Sequence, residues 1–330
     1  MSLTQHEPSR PLVREVNQDG IPDCAQMSIS KPVQSTPSIA QGGVGHEVAA
    51  KQPRDEDPPI VIKTADFPGL VDLVEQDGRP AFLINEGDNL NVKDRVEIGG
   101  LVLMPPSLSQ IPWLLPRGDR VLQAAKANEP DRALFDALVA YHRSISELPG
   151  DAYYELMAAW VMHTYLLESV QYSPIICHFA VPERGKSRTG KGMIFAAYRG
   201  IHVESLREAY IIRVASTFQG AIFFDVLDLW GKARHAKSED IILHRFEKGA
   251  KVPRVLYPDR GPFEDIVYYE VFGPTIVATN EPVHQALDSR AIQVNMPHTT
   301  RRYESEVTPE LALPLKERLV VFRARHMGTA

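Results

Sequence analysis

Cysteine is almost missing from this chain: Cys24 and Cys177 are the only two in 330 residues, and they stand far apart. No CxxC pair exists to hold zinc, and two distant thiols cannot build a disulfide scaffold, so a reducing cytoplasm fits best. No apolar run reaches membrane length, and no signal-peptide pattern is present. Positive charge is not in excess either. A net charge of −6 excludes a bulk nucleic-acid coat, so any DNA contact must come from a local basic patch. Aromatics are missing from one long stretch: residues 1–59 hold eight prolines and no Phe, Tyr or Trp. Such a stretch cannot bury enough apolar surface to offset its ordering entropy and is expected to be a disordered tail.

What remains is ordinary for a globular protein, with 44% hydrophobic and 24% charged residues, and the length suggests about two domains. Residues 60–117 read as a small β-rich module. Ile60–Ile62, Ala81–Ile84 and Val96–Met104 are expected strands, with turns at Asp77-Gly78 and Gly99-Gly100. Residues 118–170 read as a helical lead-in. Leu134, Leu138, Tyr141 and Ile145 recur at helical spacing within an expected helix over 119–147, stopped by Leu148-Pro149-Gly150. A second helix is expected over 152–169, with Tyr153, Tyr154, Trp160 and Tyr165 as core packing. From 171 to 300 strands alternate with helices, including one helix over 229–246. That alternation predicts an α/β fold, a parallel sheet covered by helices. Residues 301–330 are expected to carry a basic, amphipathic helix over 311–326.

The stretch Ile175 to Ser187 leaves an apolar strand and turns into glycine and lysine, the form of a phosphate-binding loop. Such a loop wraps backbone N–H groups around a nucleotide's phosphates, while its lysine reaches the terminal phosphates and its hydroxyl holds magnesium. Two frames overlap. In the first, Ala180 to Ser187 is the loop, with Gly185, Lys186 and Ser187 as the phosphate and metal residues. In the second, Gly185 to Gly190-Lys191 has the spacing, but Gly192 stands where Ser or Thr is needed. The first frame follows directly on the strand and leaves a helix of normal length. Either frame implies ATP or GTP.

Such a loop needs a carboxylate at the end of a nearby strand to hold the magnesium shell, and Ala221 to Asp225 supplies one. The next residue is Val226 rather than an acid that could activate water, and Asp228 is the nearest substitute. The strand Thr275 to Thr279 ends at Asn280, a polar side chain able to orient an attacking water. Arg290, at the end of the next expected helix, could reach a neighbouring copy's nucleotide as an arginine finger.

The order of phosphate loop, strand-Asp, Ala-Thr-Asn and Ser-Arg resembles the AAA+ and superfamily-three helicase ATPases. The stretches around Tyr154 to Arg188, His202 to Trp230 and Phe272 to Pro297 resemble the helicase-like ATPase modules of phage, plasmid and integrative-element replication proteins. Those modules are often fused or adjacent to a primase. The resemblance implies a ring-forming ATPase that uses ATP and Mg2+ and acts on single-stranded or forked DNA. Lys186, Ser187, Asp225, Asn280 and Arg290 would take the roles given above. The departures are Val226, the glycine-rich run after the loop, and a lid of at most one helix, so the chain is read as a possible fragment. Helicases of this type project a hairpin into the ring's pore. Here Lys248, Lys251 and Arg254 precede the Asn280 strand and could neutralise DNA phosphates, or simply be solvated or paired. Three functions compete: a DNA helicase or translocase, a nucleotide-binding switch or scaffold with little hydrolysis, and a phosphotransferase.

Overall fold

A computed structural model describes residues 59–87, 89–226, 229–236, 239–261, 263–280, 285–299 and 301–327. The expected disordered tail and Asp228 lie outside them. Residues 57–330 form one compact unit.

The first part is all β: β1 (Ile60–Lys63), β2 (Leu70–Gln76), β3 (Arg79–Glu86), β4 (Asn89–Lys93), β5 (Val96–Ile98) and β6 (Leu101–Met104). β2, β3 and β4 form an antiparallel meander, and β6 lies between β1 and β5. Asp77-Gly78 and Gly99-Gly100 take positive φ at both positions, which lets two-residue turns follow the strands' twist.

Helices α1 (Gly118–Ala127), α2 (Asp131–Ile145) and α3 (Asp151–His163) follow. The single helix expected over 119–147 is therefore two. Asn128 ends α1 at φ +46°, and Pro130, which lacks an N–H and clashes within a helix, caps α2 instead of continuing α1. The helix expected over 152–169 stops early as well, giving way to a 3-10 turn at Leu167–Ser169.

The rest alternates: β7 (Ile175–Phe179), α4 (Lys186–Ala196), β8 (Ile201–Val203), α5 (Glu208–Phe218), β9 (Ile222–Phe224), α6 (Leu229–Ala236), α7 (Glu239–His244), β10 (Lys251–Val255), β11 (Ile266–Glu270), β12 (Thr275–Thr279), α8 (Gln285–Asp288), β13 (Ala291–Asn295) and α9 (Pro309–His326). The helix expected over 229–246 falls on α6 and α7, with residues 237 and 238 outside the described ones. β13, β7, β12, β9 and β8 make a parallel sheet in that order. Period-two alternation splits its core in two. Ile176, Phe223, Ile276 and Val294 join the cluster on the α4 face, while Ile175, Cys177, Ile222, Phe224 and Val277 join the other. The β2–β3 meander feeds both clusters, through Val71 and Leu83 on one side and Leu73 and Phe82 on the other.

α4 lies close on the sheet because Gly190 has no side chain. A Cβ there would stand 2.2 Å from the Phe223 ring. Gly190→Ala is expected to cost about 1–3 kcal/mol through overpacking, read as a lower thermal midpoint.

α9 departs from its expected amphipathic character. Ala312, Leu315, Leu319, Val320, Val321 and Phe322 are buried, and so are Lys316, Glu317 and Arg323. The charges have partners. Lys316 Nζ donates to the Leu114 carbonyl at 3.1 Å, Glu317 pairs with Arg117 at 2.6 Å, and Arg323 Nε donates to the Val71 carbonyl at 2.6 Å. The helix crosses α1, α2, α4 and β2 and so has little free face.

Two further buried groups matter for stability. Arg199, at the end of the α4–β8 connection, pairs with Asp72 of β2 at 2.9 Å, with both side chains at most 1% exposed. His142 of α2 and His178 of β7 are fully buried, and none of their four ring nitrogens has a hydrogen-bond partner among the described residues.

Candidate functional site

The C-terminal ends of β7, β12 and β9 converge on one edge of the sheet. β7 leads into the loop Ala180 to Gly185, and α4 begins at Lys186. Gly185 stands at the helix N-cap with φ +77°, a conformation that L side chains rarely adopt. Glu183 is left-handed too, at φ +65°. These two residues turn the chain sharply enough to aim the N-terminal N–H groups of α4 along the edge, where a helix favours anions.

Lys186 is buried, and its ammonium donates to the carbonyls of Ala180 at 2.8 Å and Val181 at 2.9 Å. Burial lowers its pKa, and the charge of Asp225 opposes that shift. Ser187 is exposed, and its hydroxyl donates to Asp225 Oδ1 at 2.9 Å. Burial alone would raise the Asp225 pKa. The His202 ring, the Ser187 hydroxyl and the charge of Lys191 outweigh it and hold the carboxyl below its ordinary range. Asn280 follows β12, the strand between β7 and β9, and is exposed at the same edge. A cleft of about 330 Å3 opens on the β13 flank of the loop, lined by Phe179, Val181, Arg184, Asn295 and Met296 among others.

Gly185, Lys186, Ser187, Asp225 and Asn280 are thus brought together. The other described residues singled out from the sequence stand apart from the loop itself, although the charge of Lys191 reaches Asp225. Gly190 and Lys191 occupy the second turn of α4, where Gly190 is a packing position against Phe223 and not part of a loop. Arg290 lies at the opposite edge. It immediately precedes β13, its carbonyl accepts from the Ile175 amide at 3.0 Å, and its guanidinium sits 6.0 Å from the Phe246 ring centroid. A five-residue strand separates it from the loop edge of its own sheet, on the order of 15 Å.

Two of the three cations read as candidate DNA contacts make contacts within the fold. Lys248 precedes the hairpin, and its ammonium donates to the carbonyls of Leu167 at 3.4 Å and Glu168 at 2.9 Å. Arg254 is half-buried and ion-paired with Glu208. Lys251 is exposed on the outer face of β10. Nearby, Tyr268 is 61% exposed and Phe263 is 97% exposed.

The sequence reading passed over His202 and Glu204 at the end of β8. His202 Nε2 stands 3.5 Å from Asp225 Oδ2 and 3.9 Å from Glu204 Oε1. The usable signal was a short apolar strand ending in an acid, the same signal that singled out Asp225.

No family model and no curated protein matches the chain. Solved structures similar to it include JCV helicase with an inhibitor bound, at 16% identity and TM-score 0.35, over 62% of this chain and 59% of that one. The SCCmec type IV Cch helicase is 12% identical with TM-score 0.31, over 79% and 44%. A full-length MCM homolog from Methanopyrus kandleri is 13% identical with TM-score 0.35, over 76% and 58%. The chain spans less than two thirds of the length of each. Among the described residues, no helix is long and apolar enough to cross a membrane.

Proposed function

We propose that this chain binds a nucleoside triphosphate with magnesium and hydrolyses it, with ATP as the nucleotide. The observation that carries the reading is the hydrogen bond from Ser187 to Asp225 beside the Lys186 ammonium, at the N-terminus of α4. A hydroxyl and a carboxylate are hard oxygen donors. They fit magnesium, which takes one or two carboxylates and completes its shell with water and phosphate oxygens. Lys186 would exchange its two carbonyl partners for phosphate oxygens, and Asn280 would face the terminal phosphate. The nucleoside would extend over the cleft on the β13 flank, away from Asp225.

The test is equilibrium binding of a fluorescent ATP analogue with magnesium, then hydrolysis with and without single-stranded DNA. Lys186→Ala is expected to weaken binding roughly 10- to 100-fold, the worth of a charge-assisted hydrogen bond. Loss in Lys191→Ala instead would move the phosphate contact to the second frame. Stimulation by DNA would support a helicase or translocase. In that reading Lys251 meets phosphates, copies assemble in a ring, and Arg290 serves the site of a neighbouring copy; a primase partner belongs to the same proposal. A switch with little hydrolysis is the second reading, favoured by Val226, which is buried and carries no acid–base chemistry.

A further inference from the structure

Hydrolysis needs a group to take the proton of the attacking water, and Val226 cannot do so. The neighbouring strand offers one. β8 runs parallel to β9 with Val203 opposite Phe224, and the Asp225 amide donates to the Val203 carbonyl at 2.9 Å. That bond closes the last pair of the ladder, so Glu204 and Asp225 each follow directly on their strand, and His202 links them, its Nε2 3.5 Å from Asp225 Oδ2 and 3.9 Å from Glu204 Oε1. Neighbouring positions in a sheet point to the same face. On this face Phe223 meets Gly190 of α4, and the His202 ring stacks on Phe223 with centroids 5.2 Å apart. His202, paired with Phe223, thus lies on the loop side of the sheet, and its contacts bring Glu204 to the edge where Asp225 meets Ser187. The Glu204 side chain is 72% exposed, against 20% for Asp225.

We propose that Glu204 is the general base of hydrolysis and that His202 is the positioning residue between it and Asp225; this rests on the nucleotide reading above. A water oxygen bonds to the γ-phosphorus. The bond from that phosphorus to the bridging oxygen breaks, and its electron pair leaves with the diphosphate. The water's proton passes to the Glu204 carboxylate and then to solvent. Asp225, tied to Ser187, is left to the metal side. The acid sought directly after Asp225 stands one strand over, a division of labour between two carboxylates in different surroundings.

The full chain, Glu204→Gln, His202→Ala, Asp228→Asn and Lys186→Ala are compared in two measurements. One is equilibrium binding of a fluorescent ATP analogue. The other is the fate of γ-labelled ATP in single turnovers, read as triphosphate or free phosphate on the protein. Glu204→Gln is expected to bind as tightly as wild type, retain the triphosphate intact, and turn over about 100- to 1,000-fold more slowly. His202→Ala is expected to lower kcat while binding the ATP analogue at the wild-type stoichiometry and affinity, whereas a loss of folding would lower the fraction of protein that binds. A wild type that binds no nucleotide overturns the site reading and this proposal with it. Wild-type turnover in Glu204→Gln, or loss confined to Asp228→Asn, overturns the proposal alone; a wild type that binds but never hydrolyses overturns it together with the hydrolysis reading and leaves the switch.

Discussion

Replacing Arg199 with methionine is expected to lower the free energy of unfolding by about 3–5 kcal/mol. The change removes the ion-pair partner of Asp72, which is fully buried with Oδ2 already lacking a hydrogen-bond partner, and leaves it only the charges of Lys316 and Arg323 nearby. Asp72 Oδ1 would keep only the Leu73 amide, at 2.8 Å. The guanidinium also donates to the Phe218 carbonyl at 3.0 Å and lies 4.9 Å from the Tyr198 ring centroid, so both contacts are lost together. Removing both charges, in Asp72→Leu with Arg199→Met, is expected to recover much of the loss, because the orphaned carboxylate goes with its partner. Denaturant midpoints of the two single variants and the double variant close the cycle. Near-additive losses would show that the pair is not coupled.

Acid is expected to unfold the protein well before its carboxylates are all protonated. Burial lowers the His142 pKa to about 3, helped by the charge of His178, and lowers the His178 pKa to about 4. Both values lie below the ordinary 6.5, so the fold holds the neutral rings. This contribution is complete above pH 6.5, where unfolded histidine is also neutral. It is lost as the pH falls, because only the unfolded chain takes up protons in that window. Each ring contributes a slope of about 1.4 kcal/mol per pH unit down to its folded pKa. By pH 4 the two together amount to about 7 kcal/mol, comparable to the whole stability of a domain. Urea titrations between pH 7 and pH 4 measure the slope. His178→Leu is expected to halve it, and an unchanged slope would exclude these rings as its source.

The part of the candidate site around the strand-to-helix junction was legible because it is local. Gly185, Lys186 and Ser187 are consecutive, and the strand that ends at Asp225 announces itself by four apolar residues before an acid. The hairpin, the parallel sheet and the strand that ends at Thr279 follow from alternation and from the turns between them. Boundaries were less legible where one helical pattern ran across a break. Leu134, Leu138, Tyr141 and Ile145 fit one helical period, but Asn128 and Pro130 end the helix before it on the N-terminal side. α9 was misjudged for a related reason. Its charges look solvent-facing in sequence, and only their partners on other elements let Lys316, Glu317 and Arg323 be buried.

By itself, the order of residues determined the α/β alternation, the strand-to-helix junction at Gly185 and the position of Asp225 directly after a strand. These depend on hydrophobic period and on conformations that a few residue types allow, which act over short stretches of chain. Only the tertiary structure decided that His202 stands between Glu204 and Asp225, that Arg290 lies at the far edge of the sheet, and that Lys248 is tied to the Leu167 and Glu168 carbonyls. It also decided that Arg199 finds Asp72 across more than a hundred residues. Strand order and register set these pairings. They are fixed by which faces bury together across the whole molecule, and no local window of sequence contains that information.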